Sequence, residues 1–251
     1  MQTILEVRGL KRTFYKEKEL FTAVNSISFE VKKGECLGLV GESGCGKSTT
    51  AKMITRLLEA EEGTIYLNGK EIQNLKGRKL RGIYDDIQMV FQTPQDSFDP
   101  RCKLGDGIME SMINNGMTRA KAKTRMLELM RMVELDSGFA DRYPHQVSGG
   151  QCQRAAIARA LAVEPSLIVL DEATSALDVT VQAQIVELLK KLQREMNLSM
   201  LLICHDLALV QNLCDRVLVM YQGNIVEEGT PDEVIQNPKE EYTKILIDSV
   251  L

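Results

Sequence analysis

The chain has 251 residues, a formal net charge of −4, 44% hydrophobic residues and 26% charged residues, an ordinary balance for a globular protein. No basic tract stands out, which argues against non-specific binding to nucleic acid. No apolar run approaches the roughly 20 residues that a membrane-spanning helix needs. The six cysteines, at 36, 45, 102, 152, 204 and 214, form no C-x-x-C pair. They read as reduced cytosolic thiols, not as a disulfide frame or a zinc site. The opening "MQTILEVRGL" lacks the apolar core of a signal peptide, and the length favours one large core carrying an inserted subdomain.

In chain order, strands are predicted at 4–10, 26–31, 36–40, 64–67, 87–91, 166–171, 200–204, 216–221 and 224–229. Helical patterns lie between several of them, so the fold is expected to be α/β with parallel strands. The first and last strand groups alternate and are joined by the tight turns "LNGK" and "YQGN", which predicts antiparallel pairing there. Residues 93–163 break the alternation and read as a helical insertion. Within it Thr118 caps a helix with Ala122, Met126, Leu129, Met130 and Val133 on one face. The methionines at 109, 112, 117, 126, 130 and 132 either fill the core of this insertion or offer a soft interface. A second amphipathic face runs through Val181, Ile185, Leu188, Leu189 and Leu192. Thr230, Pro231 and Glu233 form a purely structural capping box. The expected division is a catalytic α/β core with a β subdomain over about 1–92 and 164–251, and a helical subdomain over about 93–163.

Chemistry enters at "GESGCGKST", residues 41–49, which follows the strand "CLGLV" and opens a helix. The pattern is that of a phosphate-binding loop. Gly41, Gly44 and Gly46 allow a tight loop of N–H groups, with Glu42, Ser43, Cys45 and Thr49 completing it. Lys47 supplies a charge to the β- and γ-phosphates, and Ser48 offers a hydroxyl to Mg²⁺. The alternative, a glycine-rich turn with no ligand, does not account for the strand-then-helix setting. "LIVLDE" ends a buried strand on two carboxylates. Asp171 is placed to reach Mg²⁺ through water, and Glu172 suits a base that polarises the attacking water. A helix cap is the plainer reading of such a pair, and the phosphate loop upstream displaces it. His205 and Gln92 end two further strands. At the C-terminal edge of one parallel sheet, His205 can stand beside the γ-phosphate, and Gln92 can touch both Mg²⁺ and the water. Residues 145–154, "HQVSGGQCQR", form a second helix start suited to an anion, with Ser148 as its cap.

Taken together, "GESGCGKST", "FQTPQ", "VSGGQCQR", "LIVLDEATSALD" and "LLICHD" resemble the motif set of ATP-binding-cassette ATPases, in the family's order and over nearly the whole chain. The resemblance implies a P-loop NTPase (RecA-like) core with an antiparallel β subdomain and an inserted α-helical subdomain. It implies ATP hydrolysis with Mg²⁺, and two cassettes that meet head to tail with ATP between them. The second helix start then needs no lysine. Ser148, Gly149, Gly150 and Gln151 act in trans on a phosphate already held by the partner's loop, and Asp178 sits at the same interface. By the family pattern Phe14 stacks on adenine, with Tyr15 as the alternative and a strand-end core aromatic as the plainer reading.

The stretch from Lys47 to Gly149 leaves no room for the long coiled coils of DNA-repair cassettes. The chain holds one cassette, unlike the tandem translation-factor class, and no fused membrane helices, unlike most exporters. What the resemblance leaves is an ATPase subunit docked on the cytoplasmic face of the cell membrane. Its implied partners are a second ATPase subunit in a heterodimer, two permeases and an extracellular binding protein. "FQTPQDSFDPR", "SALDVTVQAQIVELL" and "NPKEEYTKIL" resemble the oligopeptide, dipeptide and nickel importer subfamily. Departures from its pattern are Val147, Phe98-Asp99-Pro100, Cys204 and the absence of His-Pro before the last tyrosine. The short end after that tyrosine resembles members that import nickel or chelated metal. Nickel is therefore the favoured cargo, di- and oligopeptides are the alternative, and a soluble regulatory ATPase is a third reading.

Overall fold

The computed structural model describes residues 2–16, 19–173 and 177–248. Residues 174–176, inside the quoted "LDEATSALD", lie outside the described residues. The strands are β1 (Thr3–Lys16), β2 (Glu19–Lys32), β3 (Cys36–Val40), β4 (Glu62–Leu67), β5 (Lys70–Glu71), β6 (Ile87–Val90), β7 (Leu167–Asp171), β8 (Ser199–Cys204), β9 (Arg216–Tyr221) and β10 (Asn224–Gly229). The helices are α1 (Lys47–Ile54), α2 (Gly77–Ile83), α3 (Leu104–Asn114), α4 (Arg119–Met132), α5 (Gly149–Leu161), α6 (Val179–Met196), α7 (Leu207–Leu213), α8 (Pro231–Gln236) and α9 (Glu241–Asp248).

Two sheets organise these elements. One has the order β2-β1-β4-β5 and is antiparallel throughout. The other has the order β10-β9-β3-β8-β7-β6. Its strands β9, β3, β8, β7 and β6 run parallel, and β10 turns back antiparallel to β9. Every residue of β3, β7 and β8 is buried, because both faces of this sheet are covered. Alternation along each strand divides the core. Leu37, Leu39, Val169, Leu201 and Ile203 pack toward the antiparallel sheet and α1. Cys36, Val40, Leu170, Met200 and Leu202 pack toward the helices on the other face. The two tight turns take left-handed backbone at Asn68-Gly69 and Gln222-Gly223, as two-residue hairpins require.

The segment between β6 and β7 contains α3, α4, α5 and three short 3-10 turns, and no strand among the described residues. Thr118 accepts the Lys121 N–H as the cap of α4. Met109, Met112, Met126 and Met130 are buried in its core, so core filling, not a soft interface, explains these four. Met132 is half-buried and Met117 exposed. Strands β1 and β2 run well beyond the expected 4–10 and 26–31, and β5, with two residues, is too short to leave a pattern in the sequence. Val181 is half-buried, unlike Ile185, Leu188, Leu189 and Leu192 on the same face, because it lies at the exposed start of α6.

Candidate nucleotide site

Four neighbouring parallel strands end at one edge of the sheet, and each hands its next residues to a loop there. Strand β3 leads into residues 41–46 and then α1. The loop turns through left-handed backbone at Gly44 (φ 85°) and Gly46 (φ 115°). At Gly46 a Cβ would stand 2.1 Å from the Ala23 carbonyl oxygen, so no other residue fits. Replacing Gly46 with alanine is therefore expected to cost about 2–4 kcal/mol of stability and to abolish nucleotide binding. Urea unfolding and an ATP titration of the variant check both. Lys47 is only 4% exposed. A buried ammonium needs partners, and its Nζ donates to the carbonyls of Gly41 at 2.7 Å and Glu42 at 2.8 Å.

Next along the edge, Ser48 Oγ donates to Asp171 Oδ1 at 3.0 Å, joining the start of α1 to the end of β7. Burial pushes the Asp171 carboxyl above the usual carboxylate range; the Ser48 hydrogen bond opposes the rise and the adjacent Glu172 adds to it. A hydroxyl beside a buried carboxylate is a pair of oxygen groups that suits a hard cation. Glu172 then leaves β7 with left-handed backbone (φ 48°) and donates its N–H to the Ile203 carbonyl at 2.9 Å. That strained conformation turns its side chain toward two other strand ends. Gln92 Nε2, after β6, donates to Glu172 Oε2 at 2.8 Å. His205 Nδ1, after β8, stands 3.8 Å from Glu172 Oε1. Gln92, Glu172 and His205 are thus brought together from three strands.

A cleft of about 280 Å³ runs from this loop to the β1–β2 hairpin, with Ser43, Gly44, Lys47, Ser48, Thr49 and Glu172 along one side. Phe14 and Phe21, opposed across the hairpin, line it at the other end. The Arg12 guanidinium lies 5.1 Å over the Phe14 ring. Tyr15 is 73% exposed and does not line the cleft. Phe21 was not anticipated; the only trace of it in the sequence is an aromatic in "ELFTAV". Glu42, Ser43, Gly44 and Cys45 also border a second cleft with Phe21, Tyr221 and Gln222.

The second helix start lies elsewhere. Ser148 Oγ accepts the Gln151 N–H at 3.3 Å, and Gln151 Oε1 accepts the Ser148 N–H at 2.9 Å, a reciprocal cap on α5. Gly150 has a packing reason of its own: a Cβ there would stand 2.5 Å from Val181 Cγ1. Asp178 caps α6 by accepting the Val181 N–H at 3.0 Å. None of Ser148, Gly149, Gly150, Gln151 and Asp178 lines the cleft that Lys47 borders.

A glycine loop closing on a buried lysine, at the C-terminal edge of a parallel sheet with carboxylates beside it, defines a phosphate-loop nucleotide hydrolase. The family model described as ABC transporter matches residues 24–175. The oligopeptide transport ATP-binding protein OppF of Escherichia coli (strain K12) is 47% identical over 247 residues, covering 98% of this chain and 74% of its own. The dipeptide transport ATP-binding protein DppF of Lactococcus lactis subsp. cremoris (strain MG1363) is 44% identical, covering 98% and 81%. Among solved structures, the dimeric post-hydrolysis state of the ATP-binding cassette MJ0796 bound to ADP and Pi superposes with a TM-score of 0.82. It is 30% identical and covers 91% of this chain and 99% of that one. The chain belongs to the ABC transporter family, and it is an ATPase of that family.

Proposed function

We propose that this chain is the ATP-hydrolysing subunit of a binding-protein-dependent importer of di- or oligopeptides. The observation that carries the hydrolytic part is the convergence of Gln92, Glu172 and His205 beside the Ser48–Asp171 pair. Residues 41–49 bind the phosphates of ATP, with Lys47 released from its loop carbonyls to face them. Glu172 takes the proton of a water that attacks the γ-phosphate, and the bond to the ADP oxygen breaks. Gln92 holds the Glu172 carboxylate in place, and His205 borders the same point. Ser48, Asp171 and Gln92 would hold Mg²⁺, which when bound neutralises charge on the phosphates. Phe14 stacks on adenine from the far end of the cleft, with Phe21 beside it.

Ser148, Gly149, Gly150, Gln151 and Asp178 serve the ATP of a second cassette. Their absence from the lining of this chain's own cleft supports that reading, as does the dimeric form of the MJ0796 structure. The second cassette is expected to be a different ATPase subunit. The segment over about 93–163 is taken to move as a helical subdomain hinged near Gln92. A groove of about 350 Å³ between it and the core, bordered by Leu57, Tyr84, Phe91, Glu110 and Arg159, is suited to receive a permease helix. Two permeases and an extracellular binding protein complete the importer on the cytoplasmic face of the membrane.

For cargo, the relatives shift the balance. Both named above are peptide transport proteins by name, at 44–47% identity, so peptides replace the nickel reading that the subfamily's short ends favoured. The ATPase does not enclose the cargo, and ancestry is the available guide. Cells lacking this subunit are expected to lose uptake of a labelled tripeptide, with recovery by the parent gene and none by Glu172→Gln. Full peptide uptake with a fall in whole-cell nickel would overturn the peptide assignment.

A further inference from the structure

Tyr242 lies in the first turn of α9, far along the chain from the phosphate loop, yet its hydroxyl accepts the Glu42 N–H at 3.0 Å. Its ring stacks on Tyr221 at the end of β9, with centroids 4.0 Å apart and planes 27° apart. Two residues beyond Tyr221, the Gly223 N–H donates to the Cys45 carbonyl at 3.0 Å. The loop is therefore gripped at Glu42 and again at Cys45, on either side of the exposed Ser43-Gly44. The gripping elements are themselves fixed. Leu246 and Ile247 bury α9 in the core. Glu227 on β10 accepts the N–H groups of Lys239 and Glu240 at 2.9 and 3.1 Å, just before α9 begins. Burial alone would push the Glu227 carboxyl up. The neighbouring Thr243 side chain and these two amides outweigh it and hold the carboxyl below its ordinary range, so the anchor is a charged acceptor at neutral pH. Burial pushes the Tyr242 phenol up in the other direction, which keeps it protonated.

We infer that Tyr242 is a positioning residue for ATP: it orders the phosphate loop through the Glu42 N–H and ties α9 to the nucleotide site. The inference rests on reading residues 41–49 as the loop that binds the triphosphate. A loop that already holds its bound shape loses less conformational freedom when nucleotide arrives. The packing duty of this side chain needs only a ring, and phenylalanine would supply it. The hydroxyl adds the link to the loop.

The test is Tyr242→Phe in the full-length chain, with Lys47→Ala alongside. Binding of ATP and of ADP is read by displacement of a fluorescent nucleotide, and kcat and KM are read in the assembled transporter. The loss of one loop hydrogen bond is expected to raise the Kd for both nucleotides and the KM for ATP about 3–10-fold. ATP and ADP suffer alike because both present a β-phosphate to the loop. The kcat is expected to stay within about twofold of the parent, since the hydroxyl orders the bound and transition states equally. An unchanged Kd and KM, while Lys47→Ala loses binding, would overturn the role of Tyr242 and leave the loop reading standing. A fall in kcat at unchanged KM would also overturn it, since that marks a smaller folded fraction and not a misplaced loop. Binding by Lys47→Ala at the parent's strength would instead remove the loop reading on which the inference stands.

Discussion

Glu172→Gln is expected to bind ATP as the parent does and to lose about 10²–10⁴-fold in turnover. The substitution keeps the size and shape of the side chain. Its amide oxygen can still accept from Gln92 Nε2, which in the parent donates to Glu172 Oε2 at 2.8 Å, so the strand ends stay together. What is lost is the ability to take a proton from water. The left-handed backbone at Glu172, held by its N–H bond to the Ile203 carbonyl, aims the carboxylate at the cleft that Lys47 and Ser48 border. A glutamine keeps that direction without the basicity. Nucleotide affinity from a titration and turnover by phosphate release measure the two effects separately. Turnover equal to the parent's would mean that another group is the base, and His205, 3.8 Å away, would be the next residue to replace.

Ser148→Arg is expected to reduce the turnover of the assembled ATPase pair about 10²–10³-fold, the scale seen when a preorganised anion-binding group is removed. ATP binding by the single subunit is expected to stay unchanged. Ser148 caps α5 and does not border the cleft of its own chain, so on the trans reading proposed above a bulky side chain there is expected to obstruct a partner's nucleotide and not its own. Part of the effect is local. Ser148 caps α5 through the Gln151 N–H, and loss of such a cap costs about 1 kcal/mol of stability. Ser148→Asp retains an acceptor for the cap while placing a negative charge toward the partner's phosphate. It should therefore fold like the parent and still impair turnover. Loss of ATP binding by the isolated Ser148→Arg subunit would put this helix start in its own chain's site and remove the assignment in trans.

Much of the site could be read from the sequence because its parts are contiguous. Residues 41–49 carry their turn, lysine and hydroxyl within one loop, and a strand-to-helix junction on either side fixes how the loop faces. The strands β3, β7, β8 and β9 were also plain, since strands covered on both faces become uninterrupted apolar runs. Other features were out of reach for the opposite reason. Phe21 enters the cleft only because β2 pairs in one register with β1. Tyr242 reaches Glu42 only because α9 docks beside the end of β9. Glycine at 150 looked like a ligand feature, and in the fold it also gives Val181 of α6 room to pack.

The sequence by itself determined the local parts: a glycine loop between a strand and a helix with its lysine and hydroxyl, which carboxylates stand at strand ends, and where helices begin. Those are local properties, set by backbone freedom at glycine, by caps and by the period of apolar residues. Only the tertiary structure decided which atoms meet. Strand order in the sheet sets the Gln92–Glu172 hydrogen bond and the His205–Glu172 approach expected at one edge, and β9 and α9 hold the phosphate loop from outside. These pairings follow from how buried surfaces pack across the whole chain, and nothing in the neighbouring sequence of any one residue contains that information.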